Sequence, residues 1–172
     1  MSIRSEHDET TRNTPDEAAV RDLLQQLMED WGRGDGEAYG SRFTEDADYV
    51  AFDGTHTKGR QEIATSHQQL FDKFLKGTRL TGGISSIKFL HPDIALVHAS
   101  GGTIMRGKTD PAPERHSIQT LVATRRDGEW RFAAFHNTRV RPISRSVFTV
   151  LAWILSDLLW KVLSANEKKA HE

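Results

Sequence analysis

The sequence predicts an α+β domain in which helices come first and a large antiparallel sheet follows. Apolar residues recur at helical spacing over residues 15–31 and 60–76, which indicates two amphipathic helices. Two Asp-Gly pairs, Asp53-Gly54 and Asp127-Gly128, separate strand-like segments, and this dipeptide is typical of β-hairpin turns. Residues 78–141 read as long strands joined by turns. This order predicts an α+β fold whose sheet comes mainly from the second half of the chain.

The first helix is predicted to begin at Thr14-Pro15-Asp16-Glu17. This segment combines an N-cap threonine, a proline at the first helical position and the glutamate of a capping box. The glycine-rich segment 32–36 stops the helix, and a short helix through Ala38, Tyr39 and Phe43 is expected next.

A short hairpin and a third helix are predicted to follow. Residues 48–52 and 55–59 form the two strands of the hairpin. The helix over 60–76 carries an apolar stripe in which His67 is the one basic polar group. His67 is therefore the first candidate for a functional side chain.

The remaining strands are predicted at 78–90, 94–105 and on both sides of Asp127-Gly128 within 117–141. A two-residue turn there would place Gln119 opposite His136 and Leu121 opposite Ala134. One face of this hairpin would then hold Gln119, Leu121, Ala123, Trp130, Phe132, Ala134 and His136. An apolar face that ends in a Gln/His pair fits a pocket wall, and it fits a hydrogen-bonded pair at a core margin equally well.

Composition limits the protein class. With 172 residues the chain is long enough for one domain with its own core. It has 23 basic and 24 acidic residues, which gives no charge signal for nucleic-acid binding, and no cysteine, which excludes disulfides and thiolate metal sites. The polar N-terminus lacks the apolar core of a signal peptide, so a cytoplasmic protein is expected.

We expect three regions: a mobile tail at 1–13, a folded domain at 14–141, and a helical extension at 142–172. Arg141-Pro142 breaks the sheet, and a final helix is predicted over 144–166. Asp157 and Lys161 interrupt its apolar run, which is far shorter than the roughly 20 residues that a bilayer requires. Packing on the sheet or in a subunit interface is favoured for this helix over an anchor at a membrane surface.

Several motifs in this order carry a family resemblance. They are a W-x-x-G-D-x-x-x-Y-x-x-x-F run at 31–43, T-E-D-A-D-Y-V at 44–50, D-G-x-x-x-x-G-R-x-E-I at 53–63 and D-G-x-W-R-F-A-A-F-H-N-T at 127–138. The chain resembles the SnoaL-like, or nuclear-transport-factor-2-like, superfamily, and within it the SgcJ/EcaC-type group. The resemblance implies a strongly curved antiparallel sheet wrapped into a cone by N-terminal helices, a pocket between sheet and helices, and a homodimer packed through the sheet.

Candidate site residues follow from the residues and from this resemblance together. His67 and His136 are the candidate acid/base residues, since a neutral imidazole can serve as base, acid or hydrogen-bond partner. The candidate ligand-binding residues are Tyr49, Phe71, His98, Gln119, Trp130 and Asn137. Each has a structural alternative: a histidine on an apolar stripe often bonds a backbone carbonyl, and the aromatic residues are often core. No metal-ligand spacing and no cofactor motif is present, so neither a metal nor a cofactor is expected.

Two hypotheses for function remain open. In the first, the pocket binds an apolar polycyclic or polyketide-like metabolite, and whether His-based acid/base chemistry acts on it is left open. In the second, the protein is a non-catalytic association module that forms oligomers through the sheet and the final helix. The fold alone does not decide between them.

Overall fold

The computed structural model describes residues 14–141 and 154–156. The helices are α1 (Pro15–Arg33), α2 (Gly36–Ser41) and α3 (Arg60–Lys73), and the strands are β1 (Phe43–Val50), β2 (His56–Lys58), β3 (Arg79–His91), β4 (Ile94–Ile104), β5 (His116–Arg126) and β6 (Glu129–Arg139). Within these ranges no helix is both long and apolar enough to cross a membrane. The predicted final helix lies almost wholly outside the described residues; 154–156 are helical.

The six strands form one sheet in the order β2-β1-β6-β5-β4-β3. All neighbours are antiparallel except β1 and β6, which pair in parallel. Bulges interrupt β3 between Ile84 and Ser86, and such bulges bend a sheet. The predicted α+β class with a curved, largely antiparallel sheet is confirmed.

The two faces of the sheet have different surroundings. Leu121 and Phe132 are fully buried on the face that the helices cover, which we call the inner face. Val20 and Leu27 of α1 and Ile63 of α3 pack into the same core. Side chains alternate along a strand, so the residues between these buried positions form the outer face.

A bulge in β6 changes the predicted register of the last hairpin. Ala123 pairs with Phe132 as expected, but Leu121 then pairs with Phe135 and Gln119 with Asn137. The predicted pairs Leu121/Ala134 and Gln119/His136 are therefore wrong. Because β6 has one extra residue at the bulge, every later residue of β6 lies on the sheet face opposite to the predicted one.

Two boundaries in the first half also differ from the prediction. Phe43 begins β1 and does not belong to the short helix, because α2 ends at Ser41. The first hairpin closes at the Val50–His56 pair, which leaves a five-residue loop, 51–55, instead of a two-residue turn at Asp53-Gly54. Its Gly54 has φ of 87°, a conformation that favours glycine.

Helices α2 and α3 approach closely through two glycines. A Cβ atom added at Gly40 would lie 2.6 Å from the Ala64 Cβ, and one added at Gly36 would lie 2.6 Å from the Ala64 carbonyl oxygen. The Gly36 amide donates to the Gln68 side chain at 2.8 Å. This contact fixes where α3 lies against β1, and so where His67 lies.

Candidate functional site

His67 is buried on the inner side of α3. It lies one helical turn after Ile63, and its side chain is 5% exposed in the core-facing stripe. Its Nδ1 lies 2.8 Å from the Ile63 carbonyl oxygen. A carbonyl oxygen only accepts, so Nδ1 carries the proton and Nε2 presents a lone pair. Within residues 14–141 no hydrogen bond reaches Nε2.

Burial keeps this imidazole neutral. Removal from water lowers the pKa of His67 from 6.5 to about 4, and the bond to Ile63 opposes the shift only in part. At neutral pH the side chain is therefore an uncharged hydrogen-bond acceptor with a fixed tautomer.

Aromatic rings surround the imidazole. Tyr39 stacks on it with the ring centroids 4.3 Å apart, and Tyr49 meets it edge-on at 5.1 Å. Trp31 and Phe71 complete the group, each with its centroid 6.0 Å from that of His67. We call these five residues the aromatic cluster. It joins α1, α2, α3 and β1 around the His67 imidazole.

The two tyrosines of the cluster are paired. Their hydroxyl oxygens are 3.4 Å apart. Burial raises the pKa of Tyr49 to about 12 and that of Tyr39 well above 10.0. Both phenols therefore stay protonated at neutral pH, and the cluster holds no charge.

The cluster continues along the inner face of β6. Phe135 stacks on Tyr49 with parallel rings and a centroid distance of 4.6 Å. Asn137 follows on the same face and accepts a 3.2 Å hydrogen bond from Gln119. Both amides are half-buried. The structure thus brings together His67, Tyr49 and Phe71, and extends the same surface to Gln119 and Asn137.

The other predicted site residues lie elsewhere. His136 and His98 are neighbours of the buried residues Phe135, Val97 and Ala99, so they lie on the outer face. The structure therefore corrects the prediction that His136 faces the pocket with Gln119. The cause is the β6 bulge.

Trp130 is buried but belongs to a different group. Its Nε1 donates to Asp16 at 3.3 Å, and the Arg125 guanidinium lies 5.4 Å from the ring centroid. Arg125 also binds Asp16 at 2.5 Å and Asp93 at 2.8 Å. These contacts tie the start of α1 to the β3–β4 turn, which gives Trp130 a structural role.

Two surface depressions lie away from the cluster. One, of about 640 Å³, is open and lies at the end of β3, β4 and β5, lined by Gly82, Gly101 and His116 among others. The other, of about 300 Å³, lies between α2 and α3 beside Glu37 and Gln68. Neither is lined by a predicted site residue. In the described ranges, no three His, Cys, Asp or Glu side chains are grouped so as to hold a metal.

Sequence reasoning missed Tyr39, which stacks on His67, and Phe135, which stacks on Tyr49 of the aromatic cluster. The signal for Phe135 was present in the order Trp130, Phe132, Ala133, Ala134, Phe135. The large apolar residues are at even positions at 130 and 132 and at an odd position at 135. Such a switch from even to odd positions within one strand is typical of a bulge between 132 and 135. Tyr39 carried no such signal, because its position depends on the α2–α3 contact.

Solved structures with the same fold are known. A domain of unknown function with a cystatin-like fold from Nostoc punctiforme is 34% identical over 88% of this chain and 98% of that chain, with a TM-score of 0.73. An uncharacterised protein with a cystatin-like fold from Caulobacter vibrioides is 26% identical over 73% and 90%, with a TM-score of 0.60. An NTF-2-like protein of unknown function from Shewanella oneidensis is 22% identical over 72% and 98%, with a TM-score of 0.61. Among curated proteins, none matches the sequence.

The family model of the SnoaL-like domain matches residues 20–138. The match includes most of α1, the aromatic cluster and nearly the whole sheet. The finer likeness to the SgcJ/EcaC-type group stays a prediction. The observed strand order, the curved sheet and this match lead to one conclusion: the chain belongs to the SnoaL-like family.

Proposed function

We propose that the protein binds a small, largely apolar ligand that carries a hydroxyl group, and that the ligand donates a hydrogen bond to Nε2 of His67. The observation that carries this proposal is the fixed tautomer of His67: Nδ1 is bonded to Ile63, and Nε2 offers a lone pair among aromatic rings. Within residues 14–141 Nε2 has no hydrogen-bond partner, and a ligand hydroxyl would supply one in largely apolar surroundings.

The pKa of His67 favours binding over turnover. A general base works best when its pKa is close to the operating pH, and a pKa of about 4 makes His67 a weak base at neutral pH. Hydrogen-bond acceptance needs only the neutral form. We therefore place acid/base catalysis second to binding, with His67 as its only candidate base at this site.

The half-buried amides of Gln119 and Asn137 support a ligand path from the inner face of β5 and β6. They lie next to Phe135, which stacks on Tyr49 of the aromatic cluster. Amide side chains at the margin of an apolar surface provide orientation, and the aromatic rings provide contact area. A planar, ring-containing ligand suits this arrangement.

A matched pair of probes tests the proposal. 2-Naphthol and 2-methylnaphthalene have similar shape, but only the first can donate a hydrogen bond. We expect the wild-type protein to bind 2-naphthol at least about tenfold more tightly in a fluorescence titration, since a buried hydrogen bond to an otherwise unpaired group is worth about 1.4 kcal/mol or more. His67→Phe should remove the preference, and His91→Phe, at the exposed end of β3, should keep it. Equal binding of both probes by the wild type would contradict the proposal.

A second candidate function is self-association through the outer face. Ile118 is 51% exposed and Leu90 58% exposed there. Strands β3 to β6 have 11 or 13 residues. Four such strands present roughly 700 Å² of projected face, close to the 800 Å² or so that each partner buries in a standard interface.

Charge favours a second copy of the chain as the partner. The central row of the outer face, Ala134, Val122 and Leu96, is uncharged, and Asp48 and Lys88 lie at its two ends. An uncharged centre with a charged rim is the usual anatomy of an interface, and two identical copies would bring no like charges together at that centre. Sedimentation velocity at neutral pH should give the mass of two protomers; a single protomer would remove this candidate.

A further inference from the structure

Three histidines lie in one transverse row on the outer face. The cross-strand pairs Val50–His56, Val50–His136, Thr120–His136, His98–Thr120 and Ser86–His98 define the row from β2 to β3. Histidine occupies every second strand. With neighbouring strands about 4.8 Å apart, His98 and His136 are about 10 Å apart on either side of Thr120.

The three histidines differ in their ionic surroundings. His56 Nε2 lies 2.8 Å from Asp48 Oδ1, so a carboxylate stands beside any positive charge that protonation would bring. Within residues 14–141, His98 and His136 form no ion pair with a carboxylate. The other titratable or charged groups on the outer-face positions of the strands are Asp46 and Asp48 on β1, Lys58 on β2, Arg79, Lys88 and His91 on β3, His116 and Arg126 on β5, and Glu129 and Arg131 on β6.

None of those groups lies between His98 and His136. The residues beside this pair are uncharged: Thr120 in the same row and Val122 and Ile118 in the rows on either side. Protonation of both histidines therefore places uncompensated positive charge at the centre of the face. In a homodimer the partner adds the same charges again, and like charges across an interface cost several kcal/mol.

We propose that His98 and His136 make the association of two copies through the outer face dependent on pH. This inference rests on the self-association named above as the second candidate function. The neutral histidines pack in the dimer at mildly alkaline pH. Histidine gains its proton between about pH 8 and pH 5, and the resulting repulsion separates the protomers.

The test follows the mass of the full chain by sedimentation velocity in a pH series from about 8 to about 5.5. The wild type should change from two protomers to one, with association weakened at least about tenfold, which is 1.4 kcal/mol. His98→Gln/His136→Gln should remain a dimer throughout. The control variant His56→Gln/His91→Gln also lacks two histidines but keeps His98 and His136. Its dimer should still dissociate as the pH falls.

The alternative outcomes separate the two ideas. A single protomer at every pH overturns the self-association and with it the inference. A dimer at every pH leaves self-association standing and overturns the pH dependence. Dissociation that persists in His98→Gln/His136→Gln, or that coincides with loss of the far-UV circular dichroism signal, also overturns the role of these histidines.

Discussion

His67 combines a buried imidazole with a neutral hydrogen-bond acceptor, and both follow from its position in α3. The i−4 carbonyl of Ile63 accepts a hydrogen bond from Nδ1–H, the only N–H of the neutral ring, and the neighbouring aromatic rings bury the imidazole. The pKa of His67 is about 4 in the folded state and 6.5 in its ordinary, water-exposed state. Between pH 6.5 and about pH 4, His67 is therefore protonated in the unfolded chain and neutral in the folded chain.

This linkage predicts a stability loss in acid. The free energy of unfolding should be unaffected by His67 above about pH 7 and should fall as pH decreases from 6.5 to about 4. The full loss is roughly 3 kcal/mol, at 1.36 kcal/mol per pKa unit. Urea unfolding at pH 7 and at about pH 4.5 checks it. Between pH 7 and about pH 4.5, the free energy of unfolding of His67→Phe should fall by about 2–3 kcal/mol less than that of the wild type, whatever the stability of the variant at pH 7. An equal fall in both proteins would show that the folded state does not lower the pKa of His67.

At the scale of elements, the contact between α2 and α3 sets the geometry of the site. Gly36 and Gly40 let α2 lie directly against Ala64. Tyr39, between them, then stacks on His67. The same six-residue helix begins with a cap in which Asp35 accepts from the Ala38 amide at 2.9 Å. A shift of α2 would therefore change the distance from the phenol to the imidazole.

Two glycine substitutions should have opposite effects on stability. Gly40→Ala places a Cβ atom 2.6 Å from that of Ala64 and should destabilise the fold by about 1–3 kcal/mol. Gly32→Ala, at an exposed position of α1, would place a Cβ atom with nothing within 4 Å and should stabilise the fold by up to about 1 kcal/mol. Urea unfolding measures both changes in the free energy of unfolding, provided that the m-value of each variant equals that of the wild type. A neutral Gly40→Ala would mean that α2 can move away from α3 without cost.

At the scale of the whole molecule, the sheet separates two chemistries. The inner face presents aromatic rings around the His67 imidazole, and the centre of the outer face presents uncharged side chains with a row of histidines. Substitutions on opposite faces should therefore test the proposed ligand binding and the proposed self-association independently.

A charge placed at the centre of the outer face should prevent self-association at neutral pH. Thr120 is exposed between His98 and His136, so Thr120→Lys should fold normally and sediment as one protomer. The matched control is Thr65→Lys at an exposed position of α3, which should keep the dimer mass. If Thr120→Lys remains a dimer, the copies associate through another surface.

The sequence by itself determined the elements and their order. Helical periodicity located α1 and α3, and the Asp-Gly signal located the β5–β6 hairpin, where Asp127 and Gly128 have φ of 53° and 80°. It also singled out His67, because one basic polar residue in an apolar stripe is visible without a structure. These features are local, and local chemistry determines them.

Only the tertiary structure decided which faces meet. The β6 bulge moved His136 to the outer face and brought Phe135 to the inner one, because one inserted residue reverses side-chain direction along a strand. The parallel pairing of β1 with β6 and the α2–α3 contact joined residues far apart in the chain into the aromatic cluster. The low pKa that keeps His67 neutral depends on that packing, since burial is a property of the assembled core.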